Sequence, residues 1–343
     1  MKMSRMNLST GRWLLGLASS ILLVVLGITP EALAQKAHTA AAAAEGCAVG
    51  TMLDDEKHEC VPIVDKRQEF KAETKRFLIE SKPPNLAHQR LAHYGTQYPP
   101  RAGRKAPVPG GIGAGVQYKP GQLANGDYTM LATYMTAYDS IGCLSNYVYT
   151  TASNRTYIGV EVLGYYPPGC GGGTLALYDW SCSVVSPCDG EITQPDWVGF
   201  VPFDSCYLTF IDDGGGHSHN FVRYRNLTEL DGPNYWGNYI YLYNYCSSSW
   251  DLVWYHGYTV GYVNCSTEGG GYLCGWFGPI VETFDDNRPY IKEIGFLDSK
   301  LRIGSSLYTL TSTNTDWTQP NPAWTLFHLA ANHTWGLGNT TGN

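Results

Sequence analysis

The sequence predicts an all-β fold, an antiparallel two-sheet β-sandwich of the concanavalin or jelly-roll kind, preceded by a small N-terminal segment carrying one helix. Three observations predict it. From about Asp127 onward the chain is a succession of short runs rich in Tyr, Val, Trp and Thr, broken by Gly, Pro, Asn and Asp at intervals of roughly 8 to 12 residues. No fixed-period repeat runs through them, which disfavours a propeller or solenoid. Charge divides the chain at about the same place: residues 35–120 hold 13 Lys/Arg against 9 Asp/Glu, whereas residues 121–343 hold 7 against 20.

Taken in chain order, the first 34 residues read as a signal segment. Lys2, Arg5 and Arg12 lead into the apolar run "WLLGLASSILLVVLGI", and "ALA" precedes Gln35 as a small-x-small cleavage pattern. Export is the expectation. No later run of ~18 apolar residues follows, so the mature chain is expected to be soluble and not to span a membrane. All ten cysteines lie beyond the cleavage site, an even number that suits an oxidising compartment and a disulfide framework. Cys47 and Cys60, isolated from the rest, are expected to pair with each other. Structural zinc is the competing reading, but no C-x-x-C pair occurs, and neither a metal nor any other cofactor is expected.

Residues 46–60 read as a Cys-bounded loop, and "DKRQEFKAETKRFLIESK" (Asp65 to Lys82) as the one strong helix, stopped by two prolines. That helix has few apolar positions and needs a surface to lie on. The Pro, Gly and Arg rich stretch Gln97 to Gly121 reads as an exposed linker or an occluding strand, with "GGIGAG" (Gly110 to Gly115) as flexible chain. A leader of net +4 on a domain of net −13 suggests an intramolecular partner held on domain carboxylates, and the acidic balance argues against nucleic acid. The boundary between leader and sandwich is expected at 115/116, giving segments 1–34, 35–115 and 116–343.

Two glutamates share an unusual setting. Glu161 in "TYIGVEVLGYYPPG" and Glu282 in "GWFGPIVETFDD" each lie in an apolar strand-like run, where alternation aims residues at a sheet face. An isolated strand Glu is usually just solvated. If both face one groove, like charges close together cannot both ionise cheaply. The carboxylate of such a pair can take a proton from water while the neutral acid hydrogen-bonds the developing oxyanion. Tyr157, Trp180 and Trp276 are candidate groove lining, although aromatics also fill sandwich cores.

Other constellations are weaker. His217 and His219, with Asp212 and Asp213 nearby, have a spacing that one strand face could offer a metal, but "DDGGGHSH" reads more simply as a polar turn. No G-x-S-x-G serine motif, P-loop or dinucleotide fingerprint is present. Sequons occur at Asn154, Asn226, Asn264, Asn332 and Asn339.

"LCGWFGPIVETFDD" resembles the fungal glutamic peptidases of the scytalidoglutamic type, or eqolisins, whose catalytic Glu closes an apolar run of this kind; Glu282 falls on it. "VEVLGYYPPG", "TLALYDWSC" and "CSVVSPCDG", in that order, are similar to the plant neprosins, related glutamic peptidases, and place Glu161 on their first catalytic Glu. Gly164 and Trp276 stand at different spacings from the two glutamates than the neprosin motifs have.

The resemblance implies two seven-stranded antiparallel sheets and a secreted, acid-active endopeptidase made as a zymogen. Its partners would be a peptide or protein substrate, cleaved after proline in neprosins, and its own propeptide (35–115) as inhibitor, with the chain a monomer. Glu282 would be the general base and Glu161 the protonated partner, roles a coupled pair could exchange. A non-catalytic lectin-like sandwich binding glycans on an aromatic face is the alternative. A jelly-roll glycosidase ranks third, because no E-x-D-x-E strand is present.

Overall fold

A computed structural model describes residues 45–72, 112–118, 128–137, 148–154, 160–166, 169–170, 173–179, 196–202, 206–212, 218–232, 235–258, 277–283, 294–303, 306–311, 315–318, 325–330 and 334–338. The strands are β1 (Thr51–Asp54), β2 (Glu59–Asp65), β3 (Ile112–Tyr118), β4 (Tyr128–Thr136), β5 (Val148–Asn154), β6 (Val160–Tyr166), β7 (Thr174–Asp179), β8 (Asp196–Pro202) and β9 (Leu208–Asp212). They continue with β10 (Ser218–Gly232), β11 (Tyr235–Asn244), β12 (Ser249–Tyr258), β13 (Phe277–Thr283), β14 (Ile294–Ile303), β15 (Ser306–Thr309), β16 (Thr315–Thr318), β17 (Thr325–Ala330) and β18 (Thr334–Gly338). The expectation of an all-β chain holds among the described residues.

Two sheets form. One has seven strands in the order β16-β3-β13-β5-β6-β7-β8. The other has eleven, along β1-β2-β12-β11-β10-β4-β14-β18-β17, with β9 beside β10 and β15 beside β14. The larger sheet exceeds the seven strands implied by resemblance partly because the N-terminal segment joins it. Residues 46–60, expected as a loop, instead contribute to the β1-β2 hairpin, and β2 pairs with β12 through Ile63↔Trp250, Val64↔Asp251 and Asp65↔Leu252. This pairing is parallel, whereas every other pairing among the described strands is antiparallel. The "GGIGAG" stretch likewise is strand from Ile112, within β3, because its backbone completes the pairing of β13 and β16. The boundary expected at 115/116 therefore falls inside β3.

Strand β10 explains how the larger sheet is built. Nine consecutive residues, Phe221 to Glu229, are buried, although a strand with one solvated face would alternate. The even-numbered side (Val222, Tyr224, Asn226, Thr228) lies level with Met135 and Thr133 of β4, and β4, β10 and β11 approach β5 and β6 of the other sheet. The odd-numbered side is covered by the hairpin. Met52 and Val61 pack with Leu227, Tyr239, Tyr241, Tyr243, Trp250 and Leu252 in one cluster. Each such hairpin side chain contributes about 1.5–3 kcal/mol when buried.

Cys47 and Cys60 are bonded as expected, tying the segment before β1 to the turn end of β2; a loop of this length is stabilised by about 3 kcal/mol on the chain-entropy account. A second disulfide, Cys206–Cys246, ties the segment before β9 to the β11-β12 turn. Next to it the buried Asp251 carboxylate accepts hydrogen bonds from Tyr207 Oη (2.8 Å), Asn244 Nδ2 (2.9 Å) and Ser249 Oγ (3.0 Å). Helix begins at residue 67, after the Asp65 carboxylate accepts from the Arg67 N–H, and residues 73–82 of the expected helix lie outside the described residues. Its support is Phe70, buried edge-on against Tyr207.

The sequon at Asn226 is excluded by burial. Its side chain is 0% exposed in the middle of β10, between Leu131 and Ile240. Peptide mapping of protein from a glycosylating host is expected to find Asn226 unmodified in folded material; a glycan there in a cooperatively folding sample would refute the buried placement.

Candidate functional site

Glu161 and Glu282 both fall on the seven-stranded sheet, on β6 and β13, the two neighbours of β5. Glu282 pairs with Tyr149 of β5 and with Gly113 of β3, and Tyr149 in turn pairs with Tyr165 of β6. Glu161 pairs with Tyr178 of β7 and lies four residues before Tyr165. Because directly opposed residues, and residues an even number apart along a strand, share a face, Glu161, Glu282, Tyr149, Tyr165 and Tyr178 belong to one face by register. Val281, which is buried, pairs with Thr150, and Thr150 with the buried Gly164, so that row belongs to the opposite face together with Tyr166.

The register also sets a distance that sequence could not. The two glutamates are offset by four residues along the strand and by two strands across. On a flat sheet this puts their Cα positions about 16 Å apart, from ~3.3 Å per residue and ~4.8 Å per strand. The row through Glu282 is bare on one side, at Gly113, and aromatic on the other, at Tyr149.

Tyr157, Trp180 and Trp276, the expected lining, lie outside the described residues, as do His217 and Asp213. His219 is on β10, paired with Ile211, and Asp212 is on β9, paired with Ser218. No group of three metal-ligating side chains occurs among the described residues. Tyr149, Tyr165 and Tyr178 were missed by sequence reasoning. The local signal was the even spacing of Tyr165 from Glu161 along one strand; Tyr149 and Tyr178 join the rows only through strand pairing.

Among the described residues the buried ion pairs between leader and domain run opposite to the expected polarity. Asp54, fully buried at the end of β1, accepts hydrogen bonds from Arg223 (2.8 Å), Tyr243 Oη (2.7 Å) and the Glu56 N–H (3.1 Å). Arg225 donates to Glu45 (3.0 Å) and Asp55 (2.9 Å). Leader carboxylates thus sit on domain arginines. Net charges of +4 and −13 say nothing about which few side chains meet, and burial here selects Arg223 and Arg225, two of the domain's few cations. Burial works to raise the Asp54 pKa, but hydrogen bonds from Arg223 and Tyr243 and the Arg223 charge outweigh it and hold the carboxyl below its ordinary 3.8.

No protein-family model matches the chain, and no curated protein matches it. Among solved structures, scytalido-glutamic peptidase with a peptide-based transition-state analog superposes at 8% identity and a TM-score of 0.32, covering 66% of this chain and 97% of that one. SCP-B, a member of the eqolisin family of peptidases in complex with the tripeptide Ala-Ile-His, does so at 10% identity and 0.33, over 66% and 97%. The CBM2 module of the Lactobacillus casei BL23 phage J-1 evolved Dit reaches 7% identity and 0.23, over 67% and 70%. TM-scores this low define neither family nor function, which rest on this chain's own residues.

Proposed function

We propose that the chain is a secreted, acid-active glutamic endopeptidase made as a zymogen, its two sheets the halves of a sandwich and its substrate an extended peptide. The observation that carries this reading is that both motif glutamates lie on strands flanking β5, on one face by register, in rows shared with Tyr149, Tyr165 and Tyr178. Glu282 is the general base that takes a proton from water. Glu161, protonated, hydrogen-bonds the carbonyl oxygen as it becomes an oxyanion and then donates to the leaving amine. On this reading the length of the glutamate side chains and the twist of the sheet bring the carboxyl groups well inside the ~16 Å that separates their Cα positions on a flat sheet, each then working from its own side of the scissile bond.

The tyrosine rows, with Tyr157, Trp180 and Trp276, supply aromatic area for the substrate. A proline ring would stack on such area, in keeping with the specificity that the neprosin resemblance implies. Export by the 1–34 segment, and the two described disulfides, fit an extracellular setting. Among the described residues no helix is long and apolar enough to cross a membrane. The activating cut falls within residues 97–111, upstream of β3, since losing β3 would strip β13 and β16 of a partner strand.

The test is to shift the purified precursor to pH 3–4 and follow its mass and its digestion of a denatured protein beside Glu282→Gln. The wild type is expected to acquire a new N-terminus between 97 and 111 and to digest substrate, with the variant inert. A wild type that stays intact and inactive, or a variant equal to it, sinks the reading and leaves glycan binding on the tyrosine face as the alternative.

A further inference from the structure

The face of β10, β11 and β12 turned away from the other sheet is built as a receptor. Arg223 and Arg225 are 4% and 0% exposed, and their guanidinium carbons stand 5.0 Å and 4.6 Å from the Trp250 ring centre, placing both cations on one indole. Arg223 also lies 4.9 Å from the Tyr243 ring. Two cations buried so closely are stable only with anions supplied from outside the strands that carry them. The N-terminal segment supplies three: Asp54 to Arg223, and Glu45 and Asp55 to Arg225.

Contacts of other kinds fall in the same place. Trp250 Nε1–H donates to the Leu53 carbonyl (3.3 Å), and the Lys66 N–H to the Leu252 carbonyl (2.9 Å). Met52 and Val61 cap the aromatic cluster, and Lys57 reaches the Tyr243 hydroxyl at 3.3 Å. Without the hairpin this face would present Leu227, Tyr239, Tyr241, Tyr243, Trp250 and Leu252 to water as one contiguous apolar patch, beside Arg223 and Arg225 stripped of these carboxylates. The hairpin carries its own disulfide to the Cys47 side, so no covalent link but the chain itself joins it to β10–β12.

We propose that this face is a binding site for an acidic hairpin and that the N-terminal segment, residues 45–72, stays seated on it as a separate, non-covalently held chain once the Pro, Gly and Arg rich linker is cut at neutral pH. Covalent continuity through residues 97–111 is then dispensable for the fold. The proposal does not depend on the peptidase reading, because the receptor lies on the eleven-stranded sheet and both glutamates on the other.

The experiment inserts a site-specific protease sequence into the linker of the full chain, cuts it at pH 7, and resolves the product by size exclusion with mass readout of each fraction. The N-terminal fragment is expected to co-elute with the remainder and to stay on in 1 M salt, since buried pairs are screened far less than exposed ones. Asp54→Asn should speed its release on the order of 100-fold, as loss of one partner of a buried hydrogen-bonded charge pair does. Lys57→Ala, on the exposed rim, should leave the release rate within about twofold. Loss of the fragment from the wild-type peak at pH 7 overturns the proposal, whether the remainder stays in solution or precipitates. Equal release rates for wild type and Asp54→Asn overturn it as well.

Discussion

Asp54→Ala is expected to destabilise the protein by about 3–5 kcal/mol at neutral pH, the cost of leaving a buried arginine without its hydrogen-bonded carboxylate. The magnitude follows from the site's geometry. Asp54 is fully buried and accepts three hydrogen bonds, and the remaining carboxylates near Arg223, Asp55 and Glu56, stand only at 4.0 Å and 3.9 Å. Tyr243 Oη loses its acceptor at the same time. Lys57→Ala provides the contrast: its ammonium is on the surface, 3.9 Å from Asp54 and Glu59, and its loss should leave the unfolding midpoint close to that of the wild type.

The Asp54 effect should depend on pH with a definite sign. The carboxyl of the folded protein titrates below 3.8, so its contribution is fully present above that value and is lost as pH falls through the lower folded value. Urea unfolding of wild type and Asp54→Ala should therefore differ most at pH 5–7 and converge toward pH 2. The groups that hold Asp54 there, Arg223, Tyr243 and Lys57, keep their protons throughout that range. A difference that grew on acidification would show that Asp54 is not held as an anion.

Glu282→Gln is expected to lower kcat/KM for peptide hydrolysis by about 10²–10⁴-fold, the usual worth of a general base, with no change in unfolding midpoint. An amide of the same shape cannot take a proton from water. Glu161→Gln should lose a comparable amount, because the amide N–H can still hydrogen-bond the oxyanion but has no proton to give the leaving amine, and Glu161→Ala should lose at least as much. The pH profiles separate the roles further. Wild type should be bell-shaped at acid pH, its acidic limb set by ionisation of Glu282 and its alkaline limb by deprotonation of Glu161. Glu161→Gln should lose the alkaline limb alone. Wild-type activity in Glu282→Gln, or residual activity in Glu161→Gln that keeps both limbs, would remove that residue from its assigned role.

Much of the fold was legible in local pattern. "YIYLYNY" and "WDLVWYHGY" carry the β-branched and aromatic content of strands, and Gly, Pro and Asn mark where they stop, so all-β character and the isolated Cys47–Cys60 pair could be read residue by residue. The N-terminal hairpin was not legible. "TMLDDEKHEC" is polar and short, and it is strand only because β12 offers its edge to Ile63–Asp65 and the aromatic cluster offers a surface to Met52 and Val61. "IGAG" looked like flexible linker for the same reason: glycines have little strand preference of their own, and pairing with β13 supplies what they lack.

The candidate site divides along the same line. Residue type and apolar context alone single out Glu161 and Glu282, because a carboxylate in an apolar run is a local anomaly. Their separation, their tyrosine neighbours and the inversion of charge between leader and domain depended on register and on which strands lie side by side. The pairings of Glu282 with Tyr149 and of Arg223 with Asp54 join segments more than 100 residues apart. Strand-forming character, the isolated cysteine pair and the two candidate acids are properties of short windows and can be read locally. Which residues face one another depends on strand partners and register, set by non-local burial and hydrogen bonding, and a one-residue slip would exchange every face.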